Sequence, residues 1–204
     1  MIGKGHDSPI GTRRRFCLAF ASAMAGPCAA LAASEPAARR WLPAPVTPEV
    51  PLLDQTGGTV RLQRDLVAMR TVIVNFMFTG CQAVCPVQTA LLMDARGRLQ
   101  ARPETRDVLM ISITVNPLAD GPAQLRAFGE RHGLPMGREK GWVLLTGQPG
   151  DVAKVLSAFD VPSTAPGEHP NLLWLGDAAR VRWTRTSSLN SADALVSLVQ
   201  ELRR

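Results

Sequence analysis

"VIVNFMFTGCQAVCPVQTALLMD", residues 72–94, passes from an unbroken apolar run into two cysteines three residues apart, then into a helical pattern. The run 71–78, TVIVNFMF, is β-branched and aromatic almost throughout, the composition of a strand covered on both faces. Thr79-Gly80 breaks it. Beyond the break, Val87, Leu91, Leu92 and Leu99 fall on or near one helical face. Pro86 fits only the first turn of that helix, where N–H groups have no internal partner, so the helix is expected to begin at or just before Cys85. The cysteines therefore belong at a strand-to-helix junction, where an open α/β sheet tends to place its site.

Their spacing leaves two chemistries open. Residues i and i+4 on a helix have Cβ atoms ~5–6 Å apart, whereas a disulfide wants roughly 3.5–4.5 Å. Closing Cys81 to Cys85 thus needs a partly unwound first turn, or Cys81 in the loop before it. Metal–sulfur bonds of about 2.3 Å allow sulfurs roughly 4 Å apart, so two thiolates on one metal need less distortion. The free N–H groups of the helix start favour thiolate over thiol in either case.

The rest of the chain frames this junction. PLLDQTGGTVRL (51–62) reads as a hairpin around DQTGG. VLMISITV (108–115) and GWVLLTG (141–147) read as further buried strands. GPAQLRAFGERHG (121–133) is a helix closed by Gly133, and DVAKVLSAF (151–159) is another. NLLWLGDAARVRWTRT (171–186) reads as a hairpin turning at Gly176-Asp177, followed by a terminal helix capped by Ser191. The alternation predicts an α/β fold with a mixed central sheet flanked by helices and an N-terminal β-hairpin.

Residues 1–33 read as an export signal. TRRRFCLAF leads a basic segment into an uncharged run, Phe16 to Ala33, that ends near ALA at 30–32. Thr-Arg-Arg-x-Phe-x-Leu is twin-arginine-like. Gly26 and Pro27 argue against a retained anchor, so the expected location is the periplasm, with membrane association only through a partner or an uncleaved signal. Residues 34–48 are Pro- and Ala-rich and read as a linker to a domain at 49–204. Of the net charge of +6, Lys4, Arg13, Arg14 and Arg15 against Asp7 place +3 in the first fifteen residues. The remaining +3 forms no basic stripe interleaved with aromatics, which argues against nucleic acid.

Removal of the signal takes Cys17 and Cys28, leaving Cys81 and Cys85 as a redox couple or a metal site in an oxidising compartment. It also takes His6. His132, in ERHGL, reads as a solvated residue at a helix C-terminus, favourable for charge. His169, in the loop VPSTAPGEHPNLLWL just before a strand, is the leading third ligand. Two thiolates and an imidazole suit Cu(I), and a more tetragonal arrangement holds Cu(II).

VIVNFMFTGCQAVCP resembles the Sco/SenC proteins, whose hallmark is a strand ending in F-x-[YF]-T-x-C-x-x-x-C-P. LLDQTGGTVRL is similar to that family's opening hairpin, LMISITVNPLADGPAQLRAF to its I-S-V-D-P…D-T-P segment, and GEHPNLLWLGDAARV to its histidine-bearing D-H-S…Y-L-x-D. The resemblance implies a thioredoxin-like fold and a copper site of Cys81, Cys85 and His169. It implies delivery of copper to the binuclear centre of cytochrome c oxidase, or to another periplasmic copper protein. The alternative is a thiol-disulfide oxidoreductase that reduces that centre's cysteines and is served by a thioredoxin-like reductant. The chain departs from the pattern at Gln82-Ala83-Val84, where Pro-Asp-Val is usual, at Asn116 for Asp, and at Pro170 for Ser.

Overall fold

The computed structural model describes residues 41–162 and 166–204. The expected export signal, with Cys17, Cys28 and His6, lies outside the described residues. β1 (Leu52–Asp54) and β2 (Thr59–Val60) form the expected hairpin. The Asp54 carboxylate accepts the N–H groups of Thr56 (2.8 Å) and Gly58 (3.0 Å), and Gly57 takes φ +86°, a conformation that favours glycine. A π-helical turn, Leu62–Val67, follows with Leu62, Leu66 and Val67 buried. No periodicity announced it.

β3 (Thr71–Met77) is buried at all seven positions, as its composition requires. It runs parallel to β4 (Leu109–Thr114), which runs parallel to β5 (Trp142–Gly147). Antiparallel strands flank this trio: β1 on β5, and β6 (Leu172–Asp177) on β3, with β7 (Arg182–Ser187) outside β6. The sheet order is β2-β1-β5-β4-β3-β6-β7, the mixed sheet expected.

Among the described residues four helices cover it: α1 (Val84–Gln100), α2 (Pro122–Arg131), α3 (Pro149–Ala158) and α4 (Ala192–Arg203). Val72, Val74 and Phe76 of β3 pack with Val152 and Val155 of α3, and with Phe159 just beyond it, in one apolar layer. Ile73 and Met77, on the other face, share a second layer with residues of α1, α2 and α4. Asn75 also points to that second face, and its cost is met by pairing. Its amide donates to Gln88 Oε1 (3.4 Å) and its carbonyl accepts from Ser112 Oγ (2.7 Å), which accepts Trp142 Nε1–H (2.9 Å).

Helix α1 begins at Val84, just before Cys85, as Pro86 demanded. Its buried stripe is Cys85, Gln88, Thr89, Leu92, Ala95 and Leu99: Leu92 and Leu99 are buried as expected, but Val87 is 53% exposed and Leu91 only half-buried. The phase is set by Cys85 and by Gln88, which Asn75 draws inward. Gly133, at φ +64°, closes α2, and Ser191 Oγ accepts the Ala194 N–H at 3.3 Å to cap α4. The last hairpin also differs from expectation. β6 continues through Gly176 and Asp177, and the turn is Ala178–Val181. Gly176 is needed for close approach, since a Cβ there would meet the Trp183 ring at 2.3–2.4 Å. Within the expected linker, Leu42 bridges to Trp183 (N–H to carbonyl 2.8 Å) and Trp41 lies under the Arg182 guanidinium, covering the β7 edge. Among the described residues no helix is long and apolar enough to cross a membrane.

Two glycine substitutions separate these roles by urea denaturation. Gly176→Ala should destabilise by about 1–3 kcal/mol, because the indole cannot yield. Gly97→Ala, mid-helix with nothing within 4 Å of the new Cβ, should stabilise by about 0.5–1 kcal/mol. Equal effects would show that the Trp183 contact is not what requires glycine.

Candidate metal centre

Strand β3 ends at Met77 and the chain turns at once, with the Cys81 N–H donating to the Phe78 carbonyl at 3.2 Å. Cys81 lies in the loop and Cys85 in the first turn of α1. The residue at the helix N-cap, Ala83, has no side-chain acceptor to offer. The sulfur of Cys81 fills that place, accepting the Cys85 N–H at 3.3 Å. Neither cysteine is in a disulfide.

This arrangement makes the two thiols unequal. Partial burial alone would raise Cys81. Hydrogen bonds from the Cys85 thiol and from the N–H groups of Cys85, Ala83 and Val84 outweigh it, so Cys81 ionises below its ordinary range. Cys85 is 1% exposed, and that burial, with its hydrogen bond to Cys81, pushes it up to about 12. At neutral pH Cys85 keeps its proton and offers it to the sulfur of Cys81.

His169 stands on the wall of the cleft that opens over Cys81. The cleft, about 230 Å³, is lined by uncharged residues including Phe78, Cys81, Gln82, Val84, His169 and Asn171. The Phe78 ring stands at 86° to the imidazole, centroids 6.4 Å apart. Burial pushes His169 below its ordinary value, and a hydrogen bond to Pro170 partly offsets this. Nδ1 lies 3.3 Å from the Pro170 carbonyl. A carbonyl only accepts, so Nδ1 carries the proton and Nε2 keeps a free lone pair.

The structure thus brings Cys81 and Cys85 together and sets His169 on the same cleft as Cys81. Among the described residues, no three His, Cys, Asp or Glu side chains stand close enough to hold a metal ion as they are arranged. His132 is elsewhere: half-buried, it packs on Phe128 with centroids 4.4 Å apart, and burial lowers its pKa. It is not the solvated, charge-favourable residue that its place at a helix end suggested. A larger cavity, about 480 Å³, lies among Glu104, Arg180 and Arg203, where Asp177 and Asp107 pair with the two arginines. It presents no sulfur or imidazole. Asp120, which the sequence alone does not single out, is a buried carboxylate that reaches the turn before Cys81. Its signal was an acid directly before the Gly-Pro start of α2.

The sequence model of the SCO1/SenC family matches residues 42–184, which take in both cysteines and His169. The chain belongs to the SCO1/SenC family. The SCO1 protein homolog of Bacillus subtilis is 37% identical over 75 residues, a match that spans 37% of this chain and 36% of that protein. Arabidopsis thaliana ScoI, solved with copper bound, superposes with a TM-score of 0.65 at 20% identity over 78% of this chain and 98% of its own. BsSco, a Sco-family cytochrome c oxidase assembly protein in which a disulfide switch was identified, gives 0.61 at 24% identity, covering 79% of this chain and 97% of its own. These likenesses carry the fold, the thioredoxin-like mixed sheet of Sco structures.

Thiol inequality predicts a split alkylation profile. In the reduced protein, iodoacetamide should modify Cys81 first, at a rate that rises with pH through an inflection below the ordinary thiol value. Cys85 should stay unmodified until the pH approaches about 12. Equal rates for the two, followed by peptide mass spectrometry, would contradict the capping geometry.

Proposed function

We propose that this SCO1/SenC protein is exported to the periplasm, binds copper through Cys81, Cys85 and His169, and delivers it to a copper protein there. The binuclear copper centre of cytochrome c oxidase is the leading recipient. One observation carries the reading: Cys81, with Cys85 beside it, and a neutral imidazole border one cleft, and none of the described residues that line it is a carboxylate. Soft donors without hard oxygen ligands select Cu(I), and the imidazole also accommodates Cu(II). The donor set therefore fits copper as cargo.

The residues divide the work. Cys81, already supported as an anion by the N–H groups of α1, is the anchoring thiolate. Cys85 gives up its proton as the second sulfur joins. His169, its Nδ1 tied to Pro170, offers Nε2 from the wall of the cleft over Cys81. Release follows by ligand exchange, with the recipient's ligands displacing the loop imidazole before the two cysteines. The bound relative from Arabidopsis supports copper as the ion.

A second reading rests on the unequal thiols. Cys81 thiolate attacks a partner disulfide, breaking its S–S bond and releasing one partner sulfur as thiolate. Cys85 then loses its proton and attacks the Cys81 sulfur, which frees the second partner thiol. The partner ends reduced and Cys81–Cys85 oxidised, and a thioredoxin-like dithiol restores the pair.

Anaerobic Cu(I) titration against a competing chelator tests the first reading. The reduced domain should take one copper per chain. His169→Ala should weaken binding about tenfold or more, roughly 1.4 kcal/mol or above, while its dithiol still reduces a model disulfide. Unchanged stoichiometry and affinity in that variant would remove His169 from the site and shift the function to thiol exchange.

A further inference from the structure

The turn that aims Cys81 is tied to β4 and to the start of α2 by the carboxylate of one side chain. Asp120, 1% exposed, sits between the end of β4 and the Gly121 N-cap of α2. One of its oxygens accepts the Thr79 N–H at 3.0 Å and the Thr114 hydroxyl at 2.6 Å, and the other accepts the Thr79 hydroxyl at 2.5 Å. The Thr114 hydroxyl in turn accepts the Asn116 N–H at 3.0 Å, so β4, the loop into α2 and the turn after β3 meet at this carboxylate. The turn's own hydrogen bond, Cys81 N–H to the Phe78 carbonyl, is internal to it and fixes nothing outside. The carboxylate is the acceptor that the Thr79 N–H has in the fold, so its loss releases the turn from β4 and from the start of α2.

We propose that Asp120 is a positioning residue for the thiol pair, whose carboxylate clamps the 78–81 turn so that the Cys81 sulfur caps the first turn of α1. The role concerns the metal-free chain and holds whichever ion or partner the cysteines serve. Ala83 contributes no cap, so the Cys85 N–H depends on the sulfur, and the sulfur's place depends on the turn. Asp120 touches neither cysteine and acts two residues upstream, through Thr79.

Amide hydrogen exchange at Cys85, measured by NMR on the reduced, metal-free domain, reads this directly. Asp120→Ala should speed Cys85 exchange severalfold beyond any change at the interior amides of α1. Cys81→Ala, which removes the acceptor, should do the same, and the double variant should exchange no faster than Cys81→Ala alone. Asp120→Asn, which keeps one acceptor oxygen, should fall between. Leu202→Ala, a cavity in α4, should lower the melting temperature and leave Cys85 in step with its helix. The proposal is overturned if Asp120→Ala moves Cys85 by the same factor as the rest of α1, or if the effects of Asp120→Ala and Cys81→Ala multiply. Should Asp120→Ala not fold, Thr79→Val decides in its place: faster Cys85 exchange supports the clamp, and unchanged exchange overturns it. A failed copper titration would leave this result standing, because no metal is present.

Discussion

The hydrogen bond from the Cys85 N–H to the Cys81 sulfur is the contact on which the site depends. A helix that starts at Val84 leaves N–H groups without partners, and Ala83 at the N-cap cannot satisfy one. Where the Sco/SenC pattern usually carries Pro-Asp-Val between the cysteines, this chain carries Gln82-Ala83-Val84. Ala83 stands where that aspartate would be, at a position that favours an acidic cap. With no carboxylate there, the sulfur serves as the acceptor, and no negative charge at that position opposes the thiolate of Cys81.

From that contact the site's other properties follow. A buried strand, a tight turn and a helix start fix one sulfur at the cleft and the other beneath it. Their surroundings differ enough to hold one proton and release the other. The β-sheet contributes rigidity: β3 is enclosed by parallel β4 and antiparallel β6 and covered on both faces, so the turn that leaves it begins from a fixed point. His169 comes from the opposite direction, on the loop that enters β6, the strand paired with β3. Cys81 and His169 thus reach one cleft from the adjoining ends of two paired strands.

Much of this was legible in the sequence because it rests on local chemistry. The apolar run 71–78, Pro86 after Cys85, Gly133 and Ser191 each dictate their own backbone, and each element formed as expected. What was not legible depended on partners distant in the chain. Gly176-Asp177 has turn composition, yet Gly176 is there to admit the Trp183 ring. Val87 fits an apolar face, but Gln88 is drawn inward by Asn75, thirteen residues earlier. The π-helical turn at Leu62–Val67 has no period to betray it. Asp120 reads as an ordinary acid before a helix until Thr79, forty-one residues away, is seen to donate to it. The candidate ligands themselves were legible as residue types. The cleft that Cys81 and His169 share, and the hydrogen bonds that make the thiols unequal, required the folded chain.

Copper K-edge X-ray absorption of the reduced protein loaded with one Cu(I) tests the ligand set most directly. The account predicts a first shell of two sulfurs and one imidazole nitrogen, with the outer-shell scattering of a histidine ring. A shell of two sulfurs alone, or one built from nitrogen and oxygen without sulfur, would contradict it.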